Sequence, residues 1–185
     1  MSGPHAAFFY GTLMEPKVFF TVVQGNSDPP QVIKDLYTFT PAVLAGYTRY
    51  CIQDVSYPGM VPEESGSVLG IYATGLTDAN VTKLDLFEGS QYEKKIVKVK
   101  VQGGGGGGQE AEEEKEATAY IYKRPELLKR QEWSFGNFLK HNLQLWTRES
   151  YVFEDCDDSA EFEKAEREDA LGHDDKDDAV KQNGA

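Results

Sequence analysis

Glu88 is the residue of this 185-residue chain whose position best suits acid–base chemistry. It lies in segment 84–89 (Leu-Asp-Leu-Phe-Glu-Gly), which is predicted to be the last turn of a helix followed by a glycine. The negative end of the helix macrodipole and apolar neighbours disfavour the charged carboxylate, so both raise its pKa. Such a group is suited to accepting a proton. Position alone leaves open the alternative that Glu88 is a solvated charge near a turn.

A second candidate motif is segment 9–13 (Phe-Tyr-Gly-Thr-Leu), in which a buried strand ends at a glycine followed by a small hydroxyl residue. Gly11 permits the close approach of a ligand, and consecutive free backbone N–H groups form a concavity that suits a carboxylate. The motif predicts an anion-binding turn. Taken alone, it is equally compatible with a turn that has only a structural role.

Other catalytic designs find no support in the residue types. The histidines at 5, 141 and 173 have no cysteine or carboxylate at the spacing of a zinc or iron site, so we expect no metal. The chain has no Gly-x-Ser-x-Gly elbow, and its six glycines at 103–108 are not followed by the Gly-Lys-Ser/Thr of a phosphate-binding loop.

The helix that carries Glu88 has clear start and stop signals. Thr77 is a suitable N-cap, and Leu76 and Val81 have the spacing of a hydrophobic staple. Gly89 is expected to supply a left-handed stop. These signals place Glu88 in the final helical turn.

The remaining pattern, short strand-like runs with a few helical ones, is typical of an α+β domain. The predicted strands span residues 8–10, 42–52, 67–73, 96–101 and 117–122. The proline-containing segment 57–62 is predicted to be a rigid turn or edge segment. One helix, capped by Ser134, is predicted to continue to Trp146 because its apolar residues recur at helical spacing.

Composition predicts one domain over residues 1–150 and an acidic, largely disordered tail over 151–185. Residues 154–185 hold 13 acidic and four basic side chains, so most of the net charge of −12 belongs to the tail. The glycine- and glutamate-rich insertion 103–116 is expected to be a flexible loop that joins two antiparallel strands. The near-neutral body has no basic stripe, which argues against binding to nucleic acid.

The N-terminal residues lack the features of a signal peptide, and no apolar run has transmembrane length. The two cysteines, Cys51 and Cys156, do not form the framework of a secreted disulfide-rich domain. We therefore expect a cytoplasmic protein without a membrane partner, with the nucleus as the alternative compartment. A monomer is the default expectation.

Five segments occur in one order along the chain: 10–13 (Tyr-Gly-Thr-Leu), 57–62, 68–72, 84–89 followed by Tyr92, and 117–122. This series resembles the γ-glutamylcyclotransferase-like family, specifically its avirulence-induced-protein-like branch, over roughly residues 6–125 of the sequence. The Tyr-Gly-Thr-Leu turn and the Phe-Glu-Gly segment followed by tyrosine are its most specific parts.

The resemblance implies a compact mixed β-barrel with flanking helices that binds a small γ-glutamyl compound. In this family's reaction, the substrate's own α-amine attacks its γ-carbonyl and releases 5-oxoproline with an amine, amino acid or peptide. The chemistry needs no enzyme nucleophile and no cofactor. Glu88 is then expected to be the general base.

The resemblance also implies a set of substrate-binding residues. The turn that would hold the glutamyl end consists of Tyr10, Gly11, Thr12, Leu13, Met14 and Glu15. Tyr92 and Tyr120 are candidates, with Tyr10, to line the pocket, although each could instead be a core aromatic. Two other functions stay open: a non-catalytic binding or regulatory protein on the same fold, and an interaction role for the acidic tail.

Overall fold

The computed structural model describes residues 3–102 and 112–146. Its strands are β1 Gly3–Phe9, β2 Thr38–Ile52, β3 Pro58–Gly75, β4 Tyr92–Gln102, β5 Glu112–Tyr122 and β6 Leu128–Glu132. Its α-helices are α1 Pro16–Gln24, α2 Gln31–Lys34, α3 Asp78–Glu88, α4 Phe135–His141 and α5 Leu143–Trp146. No helix within these residues combines the length and the apolar character needed to cross a membrane.

The strands form a closed mixed barrel. Neighbouring strands follow the order β3-β1-β5-β4-β2, and β2 also pairs with β3, which completes the ring; β6 extends the sheet from β2. β1 and β5 are parallel, whereas the other described strand pairs are antiparallel. This architecture confirms the predicted α+β fold with a compact mixed β-barrel and flanking helices.

Of the two alternatives predicted for 57–62, the turn was wrong and the edge segment is confirmed, because β3 begins at Pro58 and its first residues pair with β2 but not with β1. Residues 58–62 pair with β2, and Pro62 lies opposite Tyr47. The pairing of β1 with β3 extends only to Ile71, so the first part of β3 has no ladder with β1. Among the described strands, this part of β3 is paired on one side only. A proline is tolerated in such an edge position because its missing N–H can face the unpaired side.

Two clusters of buried residues account for the packing. The first lies inside the barrel, where alternate strand residues meet: Phe8, Tyr10, Ala42, Leu44, Met60, Val68, Val97, Val99, Val101, Ala117, Ala119 and Ile121. The second lies between the barrel and the helices, and it includes Phe9, Phe19, Leu84, Tyr120, Phe138 and Trp146. The period-two alternation of β1 and β5 sends neighbouring side chains into different clusters.

The predicted start and end of α3 are confirmed. The Thr77 hydroxyl accepts a hydrogen bond from the Asn80 N–H at 3.2 Å, and the Asn80 side chain accepts one from the Thr77 N–H at 3.0 Å. This reciprocal capping box fixes the first turn. Gly89 ends the helix at φ 65° and ψ −164°, so it has the positive φ expected of a glycine stop but not the left-handed helical conformation. The chain instead continues into a 3₁₀ turn, Gly89–Gln91.

Two further predictions need correction. The insertion 103–116 was expected to be flexible throughout, but β5 begins at Glu112 and pairs with β4. Lysines on β4 lie opposite this acidic segment: the Lys98 ammonium is 3.2 Å from the Glu114 carboxylate. The single helix predicted after Ser134 is two helices, because α4 ends at His141 and α5 begins at Leu143, with Asn142 between them. The hexaglycine run and residues 151–185 lie outside the described residues.

Candidate active site

The predicted site residues meet at one end of the barrel. β1 and β5 are parallel, so Tyr10, just after β1, and Tyr120, near the end of β5, lie at the same end. β4 is antiparallel to β5, and its first residue, Tyr92, pairs with Tyr122. Glu88, the last residue of α3, precedes Tyr92 by a single 3₁₀ turn. The topology therefore gathers a carboxylate and three tyrosines from four separate elements.

Glu88 is half-buried, and no hydrogen bond or ion pair to its carboxylate is present in the described part of the chain. Burial, followed by the negative charge of Asp85, raises the pKa of Glu88 from an ordinary 4.5 to about 8. The direction of this shift agrees with the prediction from sequence, which did not include the contribution of Asp85. A carboxyl group with such a pKa exchanges a proton readily near neutral pH.

The three tyrosines are each held by a hydrogen bond from the phenol hydroxyl. Tyr10 donates to the Tyr120 carbonyl at 2.6 Å, and Tyr92 donates to the Pro58 carbonyl at 2.8 Å. Tyr120 donates to Asp85 Oδ1 at 2.8 Å. Burial is the largest cause of the raised pKa of all three phenols, and the negative charge of Glu88 adds to it in each case. Glu88 therefore lies within electrostatic reach of every predicted pocket tyrosine.

The turn after Tyr10 presents backbone donors. It forms a 3₁₀ turn, Thr12–Met14, in which the Met14 N–H donates to the Gly11 carbonyl at 3.0 Å. Among the described residues, the N–H groups of Gly11, Thr12 and Leu13 have no hydrogen-bond partner. The side chains of Thr12 and Leu13 are buried, so ligand binding here would use the backbone.

The two following residues have structural roles in this structure. Met14 packs against the cluster between the barrel and the helices. Glu15 is the N-cap of α1, and its carboxylate accepts a hydrogen bond from the Lys17 N–H at 3.5 Å. Another chain segment approaches Gly11 closely, because a Cβ atom at this position would lie 3.0 Å from Pro58 Cγ. The sequence alone predicts a different reason for this glycine, namely the close approach of a ligand.

Two residues near the site were not predicted. Asp85 receives hydrogen bonds from Tyr120 and from Lys94 Nζ, the latter at 2.7 Å. Arg49 Nη1 donates to the Tyr10 carbonyl at 2.5 Å, which holds the residue before Gly11. Helical spacing offered a signal for Asp85, because residues three apart share a helix face. Arg49 reaches the site only through the pairing of distant strands, which no local pattern indicates.

Aromatic side chains flank the carboxylate. Trp146 on α5 packs edge-on against Phe87 and Tyr57, with ring centroids 5.8 and 5.9 Å apart. Phe87 directly precedes Glu88, so this packing excludes water from one side of the helix end. Within the described segments, no three histidine, cysteine, aspartate or glutamate side chains are grouped so as to hold a metal ion.

The sequence matches the family described as gamma-glutamyl cyclotransferase, AIG2-like, over residues 7–137. Protein AIG2 C of Arabidopsis thaliana is 36% identical over 95 residues, which are 51% of this chain and 52% of the relative. AIG2-like protein C of the same plant is 30% identical over 140 residues, 74% of this chain and 70% of the relative. This chain thus spans about half the length of the first of these two relatives.

Two solution structures of Arabidopsis thaliana proteins share the fold. The first superimposes with a TM-score of 0.53 and covers 74% of this chain and 80% of its own chain. The second superimposes with a TM-score of 0.54 and covers 100% of this chain and 99% of its own chain. Both are 24% identical to this sequence, which supports a shared architecture. Because the family match covers most of the described barrel, from β1 to the first residues of α4, this chain belongs to the AIG2-like gamma-glutamyl cyclotransferase family.

Proposed function

We propose that this protein is a γ-glutamylcyclotransferase in which Glu88 is the general base. The observation that carries the proposal is a half-buried carboxylate with no hydrogen-bond or ion-pair partner among the described residues, held among three tyrosines beside a turn with free N–H groups. In its ionised form, an unpaired carboxylate in such a place can take a proton from a bound substrate. Family membership supports the same reaction class.

In the proposed reaction, the substrate's α-ammonium gives one proton to Glu88, and the resulting amine attacks the γ-carbonyl carbon. The nitrogen now bound to that carbon passes its second proton to the amide nitrogen. The bond between that carbon and the amide nitrogen then breaks, and Glu88 returns the proton to the leaving amine. The products are 5-oxoproline and a free amine, amino acid or peptide. The enzyme forms no covalent bond to the substrate, and the atoms balance without a cofactor.

The acidity of Glu88 suits this proton transfer. An α-amino group has a pKa of about 8, and burial together with Asp85 brings the pKa of Glu88 to about 8 as well. Matched donor and acceptor allow the proton to move in either direction with little change in free energy, as a base that later acts as an acid requires. An ordinary glutamate would accept the same proton at an equilibrium disadvantage of several powers of ten.

The turn after Tyr10 is proposed to bind the glutamyl end. Three consecutive free N–H groups, at Gly11, Thr12 and Leu13, suit the α-carboxylate. Binding at this point would hold the glutamyl chain bent, which brings the amine close to the γ-carbonyl and removes much of the entropy barrier to ring closure. Tyr10, Tyr92 and Tyr120 would form the walls.

The test is to incubate the full chain with γ-glutamyl dipeptides, γ-glutamyl amines and glutathione, and to measure 5-oxoproline by mass spectrometry. We expect turnover of at least one compound, and loss of about 10²- to 10⁴-fold in kcat for Glu88→Gln because a general base contributes that much. Glu64→Gln is the matched control, since Glu64 is an exposed glutamate on β3.

Equal turnover by wild type and Glu88→Gln would reject the assignment of the base. Absence of product from every compound would reject the enzymatic function. If a γ-glutamyl compound then bound saturably without conversion, the protein would be a binding or regulatory member of the same fold.

A further inference from the structure

Asp85 lies one helical turn before Glu88 on α3, and residues three apart on a helix share a face. Both of its carboxylate oxygens are held by strands of the barrel. Oδ1 accepts a hydrogen bond from the Tyr120 hydroxyl on β5 at 2.8 Å, and Oδ2 accepts one from Lys94 Nζ on β4 at 2.7 Å. The side chain therefore anchors the last turns of α3 to two neighbouring strands.

The same contacts connect Asp85 to the turn after Tyr10. Tyr120 donates to Asp85 through its hydroxyl. Its backbone carbonyl accepts a hydrogen bond from the Tyr10 hydroxyl at 2.6 Å. Tyr10 immediately precedes Gly11, the first residue with a free N–H group. A movement of Asp85 would thus affect Glu88 on the same helix and, through Tyr120 and Tyr10, the turn that begins at Gly11.

We propose that Asp85 is a positioning residue for Glu88, which fixes α3 against β5 and holds a second negative charge one helical turn from the base. This inference rests on the proposed function of Glu88, and it adds a second carboxylate to the site. Asp85 would not contact the reacting atoms. It would act through the orientation of Glu88 and through its charge.

The groups that face Glu88 explain why the charge of Asp85 matters. They are Asp85 on α3, Tyr10 next to β1, Tyr92 on β4 and Tyr120 on β5. The phenols are uncharged near neutral pH because burial raises their pKa, so Asp85 is the charged member of this group. Burial raises the pKa of Glu88 most, and the like charge of Asp85 raises it further.

Lys94 limits this effect without removing it. Its ammonium binds the outer oxygen of Asp85, and its side chain is 45% exposed, so water screens its charge. Removing Lys94 should therefore strengthen the influence of Asp85 on Glu88, whereas removing the charge of Asp85 should abolish that influence. The two variants are expected to shift the titration of Glu88 in opposite directions.

The experiment follows the side-chain carboxyl signal of Glu88 by ¹³C NMR in glutamate-labelled protein, with the signal assigned by its absence in Glu88→Gln. Asp85→Asn should lower the titration midpoint of Glu88 by roughly one pH unit, as expected for loss of a nearby like charge. The rising limb of kcat/KM against pH should move in the same direction. Asp78→Asn, which removes a charge from the exposed start of α3, is the matched control and should leave the midpoint unchanged.

An unchanged midpoint in folded Asp85→Asn would overturn the proposal. If Asp85→Asn does not fold, Lys94→Met decides, because a raised Glu88 midpoint supports the role of Asp85 and an unchanged one overturns it. The NMR reading does not need turnover. Shifted midpoints without any 5-oxoproline would therefore reject the cyclotransferase function while retaining the link from Asp85 to Glu88.

Discussion

At one end of the β4–β5 pair, acidic side chains lie in water beside lysines, whereas at the other end Glu88 lies half-buried among tyrosines. In the first region, Lys98 Nζ is 3.2 Å from Glu114 and Lys100 Nζ is 3.0 Å from Glu112, and all four side chains are well exposed. In the second region, no cation contacts the Glu88 carboxylate among the described residues. We call these regions the ion-pair end and the tyrosine end.

The difference shows how the same side-chain type acquires different roles. At the ion-pair end, water solvates each carboxylate, and the cross-strand lysines compensate its charge at little net gain in stability. At the tyrosine end, burial removes water and Asp85 adds a like charge, so the proton affinity of Glu88 rises. The first arrangement offsets the charge of an acidic strand, and the second gives Glu88 the raised pKa that the proposed base requires.

The largest effect on stability is expected from Glu88→Gln at high pH. The pKa of Glu88 is raised from 4.5 to about 8 by burial and Asp85, so the folded state keeps a proton that the unfolded chain loses between these values. The corresponding stability is present below about pH 4.5 and is lost as the pH rises through about 8. Glutamine carries no charge at any pH, so Glu88→Gln avoids the cost of burying the ionised carboxylate. Because partial solvation lowers the free energy that the pKa difference alone would give, we expect the free energy of unfolding to rise by about 2 kcal/mol at pH 9.

Urea denaturation of wild type and Glu88→Gln at pH 4 and pH 9 measures this difference. The two proteins should have nearly equal stability at pH 4. Glu114→Gln at the ion-pair end is the control, and its effect should remain small at both pH values. A stabilisation by Glu88→Gln that is equal at both pH values would break the comparison between the two ends.

A smaller effect is expected from Tyr10→Phe. The Tyr10 hydroxyl is buried and donates to the Tyr120 carbonyl at 2.6 Å. Its removal loses this buried hydrogen bond, which destabilises the fold by about 1.5 kcal/mol. Tyr72→Phe is the matched control, because Tyr72 packs against the barrel interior with no hydrogen bond from its hydroxyl in the described residues. Thermal unfolding that ranks the two variants equally would contradict a special role for the Tyr10 hydroxyl.

The smallest effect is expected at the ion-pair end. Lys98→Met removes a cation from an exposed pair with Glu114, so the free energy of unfolding should change by less than about 0.5 kcal/mol. Added salt should reduce the effect further. Urea denaturation at low and high salt measures it. A loss above about 2 kcal/mol would show that the ion-pair end is not the weakly coupled region described here.

The position of Glu88 in the chain was more predictable than the course of the strands around it. Glu88 and the limits of α3 follow from local signals, namely the Thr77 cap and Gly89, which act within one helix. The turn after Tyr10 follows from a glycine at the end of a buried strand. The family resemblance joined these two motifs, which no local pattern could do.

The remaining features depend on contacts between distant segments. Pro58 belongs to a strand because β2 pairs with it there, although its local sequence resembles a turn. The acidic residues at the start of β5 belong to a strand because β4 pairs with them, and Arg49 reaches the Tyr10 carbonyl across 39 residues of sequence. Asp85 belongs to the same sequence motif as Glu88. Its proposed positioning role depends on the hydrogen bond from Tyr120, which lies 35 residues further along the chain.

The most direct test of the central claim is the ¹³C titration of the Glu88 carboxyl in the unmodified chain between pH 4 and pH 10. We predict a midpoint near the pKa of about 8 that burial and Asp85 give this group. Such a value means that Glu88 is poised to take a proton from an α-amine. A midpoint near 4.5, the ordinary value for glutamate, would contradict the account.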